Sequence, residues 1–109
     1  MRDDWTNAEK KIARRAFETA RQAVLANVLA EFKARAAAAT TVDDVWSLGD
    51  ALRERRHEIG ELFDYRYSQL ILVFGRLIHE GYLEEDQLKG LSQDKLDAIR
   101  RFVSFSRRP

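Results

Sequence analysis

His57-Glu58 and His79-Glu80 are the places where this sequence sets an imidazole beside a carboxylate, the pairing that metal binding and general acid–base chemistry draw on. Neither pair has a productive spacing. Adjacent residues on a helix point to different sides, and neither histidine has the i+4 partner of an HExxH motif. Cysteine is absent, which excludes disulfides, thiolate catalysis and thiolate metal sites, and the two histidines leave a zinc site short of donors. No serine stands in a nucleophile motif, and no glycine-rich loop could cradle a phosphate. The chain is expected to be no enzyme, to hold no cofactor or metal, and to act by binding.

Asp50 and Arg56 are the more informative charges. Counting by fours and threes from Val45 gives Gly49, Leu52, Arg56, Ile59 and Phe63, the spacing of one face of an amphipathic helix. Arg56 is the one charge in that series. A guanidinium buried without a carboxylate is strongly unfavourable, so the face predicts a helix–helix contact that supplies a partner from across it. Asp50 is six residues away and cannot face Arg56 within one helix. Two copies of the helix crossing antiparallel would bring Asp50 of one chain to Arg56 of the other, twice by symmetry. Trp46 reads either as a core aromatic or as an interface anchor. Arg53, Arg55 and Arg56 alternate with Asp50, Glu54 and Glu58, which describes a solvated mixed-charge face and not a phosphate-binding one. Tyr65 and Tyr67, flanking Arg66, either form a contact patch or cap a core.

The elements that must position these residues are helices. A chain of 109 residues with 45% hydrophobic and 34% charged residues, one proline and five glycines has the composition of a single helical domain with a modest core. Thr6 and Glu9 form a capping-box pattern that opens a first helix of about thirty residues, roughly 45 Å long at 1.5 Å per residue. Ile12, Ala13, Ala16, Phe17, Ala20, Val24, Val28 and Phe32 line one of its faces, and Lys10, Lys11, Arg14, Arg15, Glu18, Arg21, Glu31 and Lys33 cover the other. Thr41, followed by Asp43 and Asp44, starts a second helix that carries the stripe to about Leu62. Gly60 and Asp64 predict a break, with Asp64 capping a third helix over residues 65–80 that is apolar on most sides and ends at Gly81. A short helical turn over residues 84–88 and a last helix from Ser92 to about Phe102 complete the reading.

A two-helix pair this long has no closed core of its own. Two-fold pairing would make it a four-helix arrangement, so a homodimer is expected. The expected fold is all-α, one domain over residues 1–109, with stalk helices over about 6–62 and a compact head over about 63–109. A net charge of +1 gives no reason to expect nucleic acid. The polar start MRDDWTNAEKK has no apolar signal region, and no run is long enough to span a membrane, so a cytoplasmic location is expected.

DDVWSLGDALRERRHEI, then FDYRYSQLILVFGRLIHEGYLEEDQLKGL and the following Asp94-Lys95 resemble the fluorescence recovery protein family of cyanobacteria. The matched pattern is Asp43-Asp44 with Trp46, then Asp50, then Arg56 to Ile59, Asp64 to Arg66, Val73-Phe74 and Glu80-Gly81. It runs without a gap over about residues 42–99. The resemblance implies an all-α homodimer that binds the photoactivated orange carotenoid protein, mainly through that partner's C-terminal domain. It implies that binding speeds the return to the resting orange form and ends phycobilisome quenching, in the cytoplasm and peripheral to thylakoids. It also places Trp46, Asp50 and Arg56 at dimer-interface and activity positions, and Phe74 and Lys95 at head contacts. The chain departs from the family pattern at Gly49, Leu72 and Ala98, where a histidine, an aromatic and a basic residue are usual. An alternative reading therefore stands beside the first: a dimeric adaptor of the same family with a different partner and without the photoprotective role.

Overall fold

The computed structural model describes residues 4–107; Met1 to Asp3, Arg108 and Pro109 lie outside the described residues. They form four α-helices: α1 (Asn7–Ala38), α2 (Val42–Leu62), α3 (Leu70–His79) and α4 (Gln93–Ser106), with one 3₁₀ turn (Glu85–Leu88) between α3 and α4. No strand occurs among the described residues, in keeping with the all-α expectation.

α1 begins where its capping box predicts: Thr6 accepts from the Glu9 N–H at 3.1 Å, and Glu9 accepts in return from the Thr6 N–H at 3.0 Å. α2 opens on a second box, in which Thr41 accepts from the Asp44 N–H. The Asp44 carboxylate takes the Thr40 and Thr41 N–H groups, and these bonds hold its pKa below the usual value. The short link between the two boxes turns α2 back along α1. Leu48 and Leu52 then lie beside Ala36 and Phe32, Arg55 reaches Glu31, and Leu62 shares a wall with Val24.

The core lies at the start of this hairpin. Ala13, Ala16, Phe17 and Ala20 of α1 cluster with Leu62, with Leu70, Val73, Phe74 and Leu77 of α3, with Leu88, and with Ile99 and Val103 of α4. The first half of α1 thus shares one core with residues beyond 62. α3 and α4 pack directly on each other, and Gly75 lets them approach. A Cβ at Gly75 would stand 2.2 Å from Cδ2 of Phe102. The molecule is elongated, 53 × 33 × 22 Å, because the far half of the hairpin extends beyond this core.

The third helix is shorter than the sequence pattern suggests. It begins at Leu70 and not after Asp64, and Gln69 precedes it with no side-chain cap. The Asp64 carboxylate instead accepts from the Arg66 N–H at 3.2 Å and from its Nε at 2.9 Å. Tyr65 and Tyr67 turn inward onto Phe17 and Trp5, with ring centroids 4.8 and 5.7 Å apart. Packing both rings against α1 takes a non-helical backbone there, and local helix propensity yields to it. α3 ends as expected: Gly81 has φ +87°, its N–H donates to Ile78, and the Tyr82 N–H donates to Leu77. α4 starts at the Ser92 cap and runs four residues past Phe102, to Ser106.

Candidate interaction surfaces

On α2 the half-buried positions are Leu48, Ala51, Arg55 and Ile59, with Leu62 fully buried. This face is turned about one residue from the Val45–Gly49–Leu52–Arg56 series, so most of that series points away from α1. Val45, Trp46 and Leu52 are exposed, Trp46 at 66%. Leu29 stands exposed on α1 at 62%, and the α1–α2 groove beside it is an open, nearly all-apolar depression of about 470 Å³ lined by Leu25, Val28, Phe32, Leu48 and Leu52. A continuous apolar face therefore runs along the far half of the hairpin. Such a face is unusual on a chain that works alone.

Asp50 and Arg56 flank this face. Asp50 accepts from Arg53 Nη1 at 3.0 Å, an exposed i,i+3 pair of little energetic weight. Arg56 is exposed and has no ion-pair partner among the described residues. The arginine that bonds across the hairpin is its neighbour Arg55, whose Nη1 and Nη2 meet the two Glu31 oxygens at 2.9 and 3.4 Å. Near the core, Asn27 donates to the Tyr82 hydroxyl at 2.8 Å and links α1 to the turn after α3. Sequence spacing did not single out Glu31, Asn27 or Tyr82, because both bonds join residues far apart in the chain.

Phe74 is fully buried and cannot itself touch a partner; it fills the core between α1, α3 and α4. Lys95 is occupied within the chain. Its Nζ lies 3.3 Å from Glu9, donates to the Asp4 carbonyl at 2.7 Å, and sits 4.9 Å from the Trp5 ring centroid. Glu9 is the one buried charged residue among the described residues, and it also accepts from the Ser92 N–H at 2.8 Å. Burial alone would raise its pKa, but the N–H groups of Thr6 and Ser92 together with Lys95 outweigh burial and bring it below the ordinary carboxylate value. This clasp joins the start of α1 to the start of α4. Leu72 stands 49% exposed on the outer side of α3, and Ala98 is half-buried on α4. Tyr65 and Tyr67 cap the core, and Arg14 and Lys10 sit over their rings.

Among the described residues no group of three or more His, Asp or Glu residues could hold a metal ion, and no helix is long and apolar enough to cross a membrane. These features define a small all-α protein whose most distinctive surface is an uncovered apolar helical face edged by charge. Residues 5–103 match the family model described as the photoprotection regulator fluorescence recovery protein. The fluorescence recovery protein of Synechocystis sp. PCC 6803 is 38% identical over 96 residues, 88% of each chain. The solved structure of the Fremyella diplosiphon fluorescence recovery protein superposes with a TM-score of 0.88 at 36% identity, covering 94% of this chain and 99% of that one. The solved Synechocystis structure gives the same TM-score at 37% identity, with 93% and 99% coverage. The chain belongs to the fluorescence recovery protein family.

Proposed function

We propose that this protein is a homodimeric, non-enzymatic regulator that binds a photoactivated carotenoid protein of the orange carotenoid type and speeds its return to the resting form. The observation that supports the reading is the exposed apolar face of α1 and α2, on a chain that matches the family model described as the photoprotection regulator fluorescence recovery protein. In this reading the far half of the hairpin is a stalk, and the core around α3 and α4 is a head. Two stalks pack by two-fold symmetry into a four-helix arrangement that covers Trp46, Leu29 and Leu52. Asp50 exchanges its exposed Arg53 contact for Arg56 of the partner subunit, and Arg56 gains the carboxylate it lacks within its own chain. The head, held by the Glu9–Lys95 clasp and filled by Phe74, docks on the C-terminal domain of the carotenoid protein in the cytoplasm.

Acceleration requires binding the relaxing form or its transition state better than the activated state. Each tenfold in rate corresponds to about 1.4 kcal/mol of that difference. The decisive assay mixes the protein with photoactivated orange carotenoid protein and follows red-to-orange relaxation in the dark. Unchanged kinetics at stoichiometric excess would overturn the regulator reading while leaving the fold intact. That outcome would favour the second reading, a dimeric adaptor with another partner, which the exposed Leu72 and the small Ala98 support because the family pattern has an aromatic and a basic residue there.

A further inference from the structure

The outer face of α1 near the core carries a cluster of positive charge that neither the apolar face nor the clasp uses. Lys10, Lys11, Arg14 and Arg15 are all exposed, and with Tyr65 and Tyr67 they line an open depression of about 430 Å³. Arg14 stacks on the Tyr65 ring with its guanidinium carbon 3.8 Å from the centroid, and Lys10 stands 5.2 Å from that of Tyr67. Carboxylates offset only part of the patch. Glu18 is engaged by Arg14 at 3.4 Å and Asp64 by Arg66, which leaves Lys10, Lys11 and Arg15 with no carboxylate partner among the described residues. The whole chain has a formal charge of only +1, so this is a local concentration and not a general basicity.

We propose that this face docks an acidic segment of a partner protein, with the carboxylates of that segment on Lys11 and Arg15 and an apolar or aromatic residue seated in the depression that Tyr65 and Tyr67 line. Charge complementarity selects an anionic occupant, and the paired rings select one with an apolar side chain as well. A nucleic acid fits poorly. The four cations span roughly 8 Å of helix axis at 1.5 Å per residue. Even single nucleic-acid-binding modules bury about 600–1,000 Å² and follow several phosphates. The inference goes beyond the dimer reading and does not depend on it, because none of these residues lies on the α1–α2 apolar face.

The test titrates the full chain with a fluorescein-labelled peptide of Asp and Glu residues carrying two phenylalanines. Binding should weaken by about tenfold or more in the double variant Lys11→Glu/Arg15→Glu, and again as salt rises from about 50 to 200 mM. Both side chains are exposed and unpaired, so the variant should melt like the wild type, and Lys11→Gln/Arg15→Gln should give an intermediate affinity. A control double variant, Lys89→Glu/Arg101→Glu, makes the same charge change at exposed positions away from this face and from the α1–α2 groove, and should bind as the wild type does. Equal loss in both double variants, loss in neither, or tighter binding of a single-stranded oligonucleotide of equal charge would overturn the proposal.

Discussion

Truncating Trp46 to alanine separates a fold residue from an interface residue, because the two roles predict opposite changes. Within one chain the side chain is 66% exposed, so its removal takes little from the monomer. In a symmetric stalk dimer the exposed part is buried twice. A tryptophan side chain presents about 200 Å², of which roughly 130 Å² is open here. At about 25 cal/mol per Å² that is about 3 kcal/mol per copy, or about 6 kcal/mol per dimer if the rings are fully covered. Allowing half of that for incomplete burial leaves about 3 kcal/mol, a dimer Kd raised by roughly 150-fold. Sedimentation velocity over a wide concentration range reads the Kd directly. Urea unfolding at concentrations where the variant is monomeric reads the fold, since the stability of a dimer depends on protomer concentration. A Kd within threefold of wild type, together with a clear loss of monomer stability, would refute the argument and make Trp46 an intrachain packing residue.

The same apolar face predicts that a charge swap reports the polar pairing: Asp50→Arg and Arg56→Asp should each weaken the dimer, and the double variant should recover most of the loss by sedimentation. Persistent dissociation in the double variant would remove the pair from the interface. Gly75→Ala should cost about 1–3 kcal/mol, seen as a lower urea midpoint with unchanged slope, because the added methyl drives into Phe102 where α3 and α4 touch. Glu9 makes a pH prediction. Its folded pKa lies below the unfolded value near 4.5, so its contribution is present above that value and is lost as pH falls through the folded pKa. Glu9→Gln should therefore be less stable than wild type at neutral pH and flatten the acid limb of the stability curve. Parallel curves for the two proteins would exclude the clasp as a source of that limb.

Helix content was legible from spacing and caps. Thr6 with Glu9, Thr41 with Asp44, Ser92 and Gly81 all mark ends within a few residues, because a helix terminus must satisfy its own N–H and C=O groups locally. The apolar face of α1 was legible too, and Ala13, Ala16, Phe17, Ala20, Val24 and Phe32 are buried as the period requires. The segment over residues 64–69 was not. Its pattern starts the third helix directly after Asp64, and only the burial of Tyr65 and Tyr67 against Phe17 and Trp5 gives a reason to delay that start to Leu70.

What the amino-acid sequence determined by itself was the set of helices and the caps of α1, α2 and α4, since each rests on contacts within a few residues, together with the register that names the family. Which arginine bonds across the hairpin was decided by tertiary structure. One residue of rotation on α2 gives Arg55 to Glu31 and leaves Arg56 and Trp46 facing out. That rotation follows from how Leu48, Ile59 and Leu62 seat against α1, a contact between distant segments that no local spacing encodes. Tertiary structure likewise put Glu9 inside a clasp with Lys95 and Ser92, and enclosed Phe74 where the pattern alone allowed a contact residue.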